Sequence, residues 1–185
     1  GISISPSSLD FGIVSANSSS SLQLVITPQL SIDKDYSLSV IPTNSDIASS
    51  SHFMISDSLI TVSQYDEEIS VDVYFNPQSG GDHQAILTIQ EISDSPEQFF
   101  QVLLVGTAIE GTEISGNISG IWGIENSPYL VTDNLLVPAY ESLTIDEGVE
   151  VIFFGDYTMT VNGQLFANGT EQNNIIFRPI EGGQW

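Results

Sequence analysis

Residues 143–177 read LTIDEGVEVIFFGDYTMTVNGQLFANGTEQNNIIF, and this stretch decides the fold class. Apolar residues recur at every second position: Leu143 and Ile145, then Val149, Val151 and Phe153, then Met159 and Val161, Leu165 and Ala167, Ile175 and Phe177. A period of two belongs to a strand that buries one face, and the 3.6 period of a helix is absent. Between the runs lie Asp146-Glu147-Gly148, Gly155-Asp156, Asn162-Gly163, Asn168-Gly169 and Asn173-Asn174. Gly and Asn accept left-handed backbone at little cost, so these groups mark corners. Leu143-Thr144-Ile145 and Thr160-Val161-Asn162 each precede a corner and a second apolar strand. That predicts a coil repeating at roughly 20 residues, within the period range of solenoids.

Extended back to Ser127, the segment SPYLVTDNLLVPAYESLTIDEGVEVIFFGDYTMTVNGQLFANGTEQNNIIF resembles the opening coils of right-handed parallel β-helix regions in large secreted bacterial proteins. The resemblance implies that residues 127–185 form the first coils of such a helix. In that family a Trp-x-Gly usually follows, and Gln184-Trp185 stand inside that pattern, so the resemblance also implies a piece of something longer. The end of a solenoid exposes apolar surface and open strand edges that need a cap. Trp122 and Tyr129 flank the entry to the coils and are the expected covers of the first one; Trp185 is a third expected capping or interface residue. Residues 111–126 are the expected linker or capping strand. The stretch AIEGTEISGNISG, 108–120, is rich in Gly, Ser and Thr yet still alternates through Ile114 and Ile118.

Working outward to the other end, residues 1–110 predict an antiparallel β-sandwich. Ile2 and Ile4, Leu9 to Val14, Leu22 to Thr27, Tyr36 to Val40, Phe53 and Ile55, Leu59 to Ser63, Ile69 to Phe75, Ala85 to Ile89 and Gln98 to Val105 are short strand-like runs. They are separated by Ser-, Asn-, Gly- and Pro-rich turns, the spacing of a sandwich of seven or so strands. Three blocks carry a second resemblance: SPSSLDFGIVSANSSSSLQLVITPQ, SVDVYFNPQSGGDHQAILTIQ and QVLLVGTA. They are similar to the ASPM/SPD-2/Hydin-type immunoglobulin-like domain, which is related to major sperm protein domains. The shared marks are Leu9-Asp10-Phe11-Gly12, the run from Val73 to Ile89, and Leu104 to Thr107; Thr27-Pro28-Gln29 stands where that family has Asn-Thr-Gly. The resemblance implies a fold that serves as a spacer or binding module, and fold does not give function. The whole chain is thus expected to be all-β: an immunoglobulin-like β-sandwich followed by the start of a parallel β-helix.

Charge narrows the partners. Asp and Glu total 24 and Lys and Arg total 2, for a net charge of −22. The two bases are Lys34 and Arg178, so the imbalance comes from missing cations. Nucleic acid and anionic membranes need basic patches and are excluded as expected partners. No apolar run approaches the ~18 residues that span a bilayer, so membrane insertion is not expected. A chain short of Lys and Arg presents little to trypsin-like proteases, as would suit the expected secreted or cell-surface setting; the plainer reading of the charge is solubility alone. With no cysteine there are no disulfides, thiolate metal sites or thiol nucleophiles.

The chemistry-bearing residues form no catalytic pattern. His52 and His83 read as isolated turn histidines, and no P-loop, GxGxxG or HExxH is present. Asp66-Glu67-Glu68 is the best candidate cation site, with Ca²⁺ the fitting ion because hard cations collect loop carboxylates; the alternative is a solvated turn. No Asp-x-Asp-x-Asp-Gly spacing supports it. Tyr36, Phe53, Tyr65, Tyr74, Phe99, Phe100 and Tyr140 are candidate members of a sugar-binding platform. Asn17, Asn117 and Asn168 stand in glycosylation sequons, but the turn-forming role of Asn is the reading that holds unless the source is eukaryotic. The function that fits best is a non-enzymatic extracellular structural or adhesive module that self-associates through open β edges. The alternatives are the N-terminal part of a carbohydrate-active β-helix enzyme with its site beyond residue 185, and an immunoglobulin-like module that binds glycans or other surface proteins.

Overall fold

The computed structural model describes residues 1–43, 49–93 and 98–181. The chain divides into two compact units, Gly1–Ile109 and Glu110–Trp185.

Among the described residues the first unit holds nine strands: β1 (Ile2–Ser5), β2 (Ser8–Ser15), β3 (Ser20–Pro28), β4 (Lys34–Pro42), β5 (Phe53–Ile55), β6 (Leu59–Val62), β7 (Ile69–Phe75), β8 (Gly81–Glu91) and β9 (Phe99–Ile109). They form two sheets, ordered β1-β3-β7-β5 and β2-β9-β8-β4-β6. Alternation decides the core. Leu24 and Ile26 of β3, Val71, Val73 and Phe75 of β7, and Ala85, Leu87 and Ile89 of β8 are all fully buried. Each large apolar side chain so buried stabilises the unit by about 1.5–3 kcal/mol. Phe75 stacks on Phe53 with ring centroids 4.9 Å apart and also contacts Phe11. Its ring fills the space beside Gly106, where a Cβ would come within 2.5 Å of it.

One pairing departs from the expected antiparallel sandwich: β2 runs parallel to β9. The cause lies at Pro6, which has no N–H to extend a ladder. β1 pairs with β3 in the first sheet, and after Pro6 the chain crosses to the second, where β2 lies beside the last strand of the unit. The Leu9-Asp10-Phe11-Gly12 motif makes the bend within β2. The register shifts between Asp10 and Ile13, Gly12 has φ +66°, and its N–H donates to Asp10 Oδ1 at 2.8 Å. That is a bulge centred on a residue without Cβ strain.

In the second unit every described strand pair is parallel. β10 (Thr112–Asn117), β12 (Tyr129–Val137), β14 (Glu150–Phe153) and β17 (Ile176–Pro179) form one sheet in that order, with β15 (Met159–Val161) also on β12. β11 (Gly120–Trp122), β13 (Ser142–Ile145) and β16 (Gln164–Ala167) form another. The residues expected to be a linker or capping strand therefore carry the first strand of each sheet. The ladders read Thr112, Tyr129, Val151, Phe177 in one sheet and Gly120, Leu143, Leu165 in the other. Successive turns of chain thus stack as rungs. The expected repeat match is corrected: Leu143-Thr144-Ile145 pairs with Leu165-Phe166-Ala167, while Thr160 and Val161 pair with Leu136 and Val137. Asn-Gly follows Val161 as Asp146-Glu147-Gly148 follows Ile145, but the backbone at 160–161 continues the bent second half of β12.

Polar corners hold the rungs in step. Asn134 Oδ1 accepts from both the backbone N and the Oγ1 of Thr158, at 2.9 and 3.1 Å. The N–H of Gln164 donates to Glu141 O at 3.0 Å, and that of Asp146 to Trp122 O at 2.9 Å. Inside the stack, Trp122, Tyr129, Val131, Leu135, Val137, Leu143, Ile145, Val149, Val151 and Phe153 pack with Ile118 into one apolar column.

Candidate functional site

The acidic triplet expected to hold a cation lies in the turn between β6 and β7. Asp66 Oδ2 accepts the N–H of Ser63 at 2.8 Å, and neighbouring Asp33 Oδ1 accepts Ser63 Oγ and the N–H of Gln64, both at 3.0 Å. These carboxylates cap backbone donors, while Glu67 and Glu68 are exposed. Among the described residues no three His, Asp or Glu side chains converge on a metal-holding arrangement.

Of the expected capping residues, Trp122 and Tyr129 are brought together. Both are buried, with rings stacked at 4.7 Å and 14° apart. The Tyr129 hydroxyl donates to Gly123 O at 3.2 Å, and burial pushes its pKa above the usual phenol value. Trp185 lies outside the described residues.

The histidines differ from the expectation of exposed turn residues. Both are buried, and their rings lie 4.2 Å apart. His83 belongs to β8, and its parity with Ala85, Leu87 and Ile89 turns it inward; that parity was the available signal. His52 ends a single turn of 3-10 helix, Ser49–His52. Its Nδ1 accepts the Gln78 N–H at 3.0 Å, while His83 Nε2 pairs with Ser79 O at 2.9 Å. Both rings thereby fasten the loop between β7 and β8. The two bases are also engaged. Lys34 pairs with the buried Glu91 at 2.7 Å, and Arg178 Nε with Glu150 at 2.5 Å. Glu91 Oε2 is buried with no hydrogen-bond partner, so Lys34 is the charge that offsets this carboxylate.

The expected aromatic platform divides. Tyr36 and Phe53 are core residues, whereas Tyr65, Phe99 and Tyr140 are exposed. Tyr140 stands at the corner between β12 and β13 with φ +70°, a backbone conformation that costs a bulky L-residue about 1–2 kcal/mol. The corner beneath it, Asn162-Gly163, is tied to it: the N–H groups of Asn162 and Gly163 both donate to Val137 O. A groove of about 570 Å³ opens there, lined by Ala139, Tyr140, Glu141, Asn162, Gly163 and Gln164.

The other prominent surface is the last described rung. Leu165 and Ala167 continue the ladders of buried Leu143 and Ile145, and Phe177 continues that of Val151. Yet Val161, Leu165, Phe166, Ile176 and Phe177 are each 37–48% exposed. Of these, Val161, Leu165 and Phe177 hold core register and lie open beside the edge strands β15, β16 and β17, whereas Phe166 and Ile176 pair with Thr144 and Glu150 at the other parity. Sequence analysis anticipated open β edges in general; which residues stand there depends on the ladder register.

No family model matches the chain, and no curated protein matches it. Among solved structures, it is similar to the ASH / PapD-like domain of human CEP192, with 18% identity and a TM-score of 0.51 over 60% of this chain and 86% of that one. It is also similar to the E. coli chaperone DraB (8%, TM-score 0.45, 58% of this chain and 55% of that one) and to WR4, a C. elegans MSP family member (9%, 0.40, 57% and 97%). The chain spans about half the length of the DraB chaperone. At 18% identity the likeness to the CEP192 domain speaks to fold alone, and the fold it supports is an immunoglobulin-like, PapD-like β-sandwich.

Proposed function

We propose that the chain is a non-enzymatic structural and binding module of an extracellular surface or adhesive protein. In this reading the β-sandwich is a spacer, and the second unit is the opening of a right-handed parallel β-helix. The observation that carries it is the last rung. Its inward-register residues, Leu165, Ala167 and Phe177, repeat the ladder positions of buried residues one turn earlier and remain uncovered. Burying such side chains against one more parallel rung returns about 25 cal/mol for each Å² covered. The edge strands supply the unpaired N–H and C=O groups that guide a further strand into register. A further coil of a longer chain would supply such a rung, and so would a second copy of this one, which is the self-association expected of the 185-residue chain. The Ca²⁺ once expected at Asp66-Glu67-Glu68 has no part in it.

Light scattering across a concentration series tests the proposal. The chain is expected to associate as concentration rises, and Leu165→Glu with Phe177→Glu is expected to leave it monomeric while circular dichroism stays that of the parent. A parent chain that stays monomeric throughout the series would sink the idea.

A further inference from the structure

We propose that the groove beside Tyr140 binds a neutral glycan. This goes beyond the structural reading above and does not depend on it, because the groove lies at the corner between β12 and β13 and not among the exposed side chains of the last rung.

Three observations point to a sugar. The first is the tyrosine itself. Tyr140 is fully exposed, at 105% of its reference area, and has a left-handed backbone that Gly or Asn would adopt at lower cost. Residues held in such conformations cluster at ligand-binding positions, where surrounding structure maintains the strain. Here that structure is the stacked pair of corners: the N–H groups of Asn162 and Gly163 bond to Val137 O, and that of Gln164 to Glu141 O. The corner holds the ring out in water, where by itself it stabilises nothing.

The second is what lines the groove. Glu141, Asn162 and Gln164 are among the residues that line it, and their side chains are a carboxylate and two amides. Together they offer both donors and acceptors, the inventory that a ring of adjacent hydroxyls requires. The electron-rich face of an aromatic ring attracts the polarised C–H bonds on the apolar face of a pyranose. The volume, about 570 Å³, lies in the usual range for small-ligand pockets.

The third observation is charge, and it selects among glycans. Residues 110–185 carry eleven carboxylates and one base, and that base, Arg178, is paired with Glu150. Glu141, one of the eleven, lines the groove. Uronic-acid, sialylated or sulfated chains would meet repulsion with no cation to receive them. Neutral hexose polymers meet none.

The test uses the whole 185-residue chain. Its migration is followed through gels containing neutral glucan, mannan or galactan, and the corresponding hexasaccharides are titrated by calorimetry in the presence of EDTA. At least one neutral series is expected to bind, and uronic-acid oligosaccharides are not. Tyr140→Gly and Tyr140→Asn should each weaken binding by about tenfold or more, as the loss of a central aromatic anchor does. Their melting temperatures should equal or exceed that of the parent, because both residues accept the left-handed backbone. Tyr140→Phe, which keeps the ring, should bind within about threefold of the parent, and Gln164→Ala should lose a few fold. The proposal is overturned by no binding in any neutral series, by Tyr140→Gly binding as the parent does, or by binding confined to acidic glycans. A lower melting temperature for both Tyr140→Gly and Tyr140→Asn would also overturn it, since the tyrosine would then be structural.

Discussion

At the scale of single residues, the first unit is governed by a few polar groups buried among apolar strands. The Tyr36 hydroxyl donates to Gln98 Oε1 at 2.7 Å, and the same oxygen accepts the N–H of Ile2 at 3.2 Å. Burial pushes the Tyr36 pKa above the usual phenol value, the Glu91 carboxylate adds to the shift, and Lys34 opposes it. A phenol whose folded pKa is raised contributes stability that is fully present below its unfolded pKa, about 10, and lost as pH rises through the folded value. The chain is therefore expected to lose stability on the alkaline side of pH 10. Tyr36→Phe should reduce that loss, leaving the part due to Tyr129, while costing about 1 kcal/mol near neutrality for the missing hydrogen bond. Urea denaturation at several pH values from 7 to 11 reads both effects. An alkaline limb equally steep in the variant would contradict the assignment. Little of this was legible in the sequence. The alternation places Tyr36 inward with Leu38, but nothing local says that Lys34 and Glu91, 57 positions apart, meet across adjacent strands. His52 and His83 were misread for a related reason: a histidine near Gly-Gly looks like a turn residue until the strand is known to begin at Gly81.

At the scale of elements, strands were easier to read than their partners. Alternation and turn chemistry located all nine strands of the sandwich, because both are local properties of the chain. Pairing is not local. The parallel β2–β9 contact depends on the crossing at Pro6, and the rung register depends on how much chain each corner consumes. Thr160-Val161-Asn162 resembles Leu143-Thr144-Ile145 in composition, yet it is Leu165-Phe166-Ala167 that lies on that strand. Gly163 shows how closely the corners stack. A Cβ there would press on the carbonyl oxygens of Pro138 and Glu141, which are backbone atoms with no rotamer to escape through. Gly163→Ala is thus expected to destabilise the second unit by about 1–3 kcal/mol, the usual cost of overpacking. Hydrogen exchange is the measurement that localises it: amides of β13 and β16 should exchange faster, with those of β7 and β8 unchanged. Uniform loss of protection in both units would count against a local clash.

At the scale of the whole molecule, the shortage of cations has a direct outcome in proteolysis. Lys34 and Arg178 are the only bases, and Arg178 precedes Pro179, a bond that trypsin does not cut. One cleavable bond remains, between Lys34 and Asp35, at the start of a strand paired on both sides by β6 and β8. Cleavage there requires the edge of the sheet to open. The native chain is expected to survive trypsin, and the urea-unfolded chain to give two fragments, residues 1–34 and 35–185, by mass spectrometry. Rapid cutting of the native chain would mean that β4 is open more often than its two ladders allow.

The parallel stack has one more consequence, for the way the second unit is built up. Tyr129, Val151 and Phe177 occupy successive rungs of one ladder, each separated from the next by a single turn of chain. Every rung therefore finds its template in the rung just completed and closes only a short loop to reach it. In such a stack each rung contacts its neighbours, so stability accumulates rung by rung. Shortening the chain from the far end should remove that stability in steps, with the remaining rungs still standing after each cut.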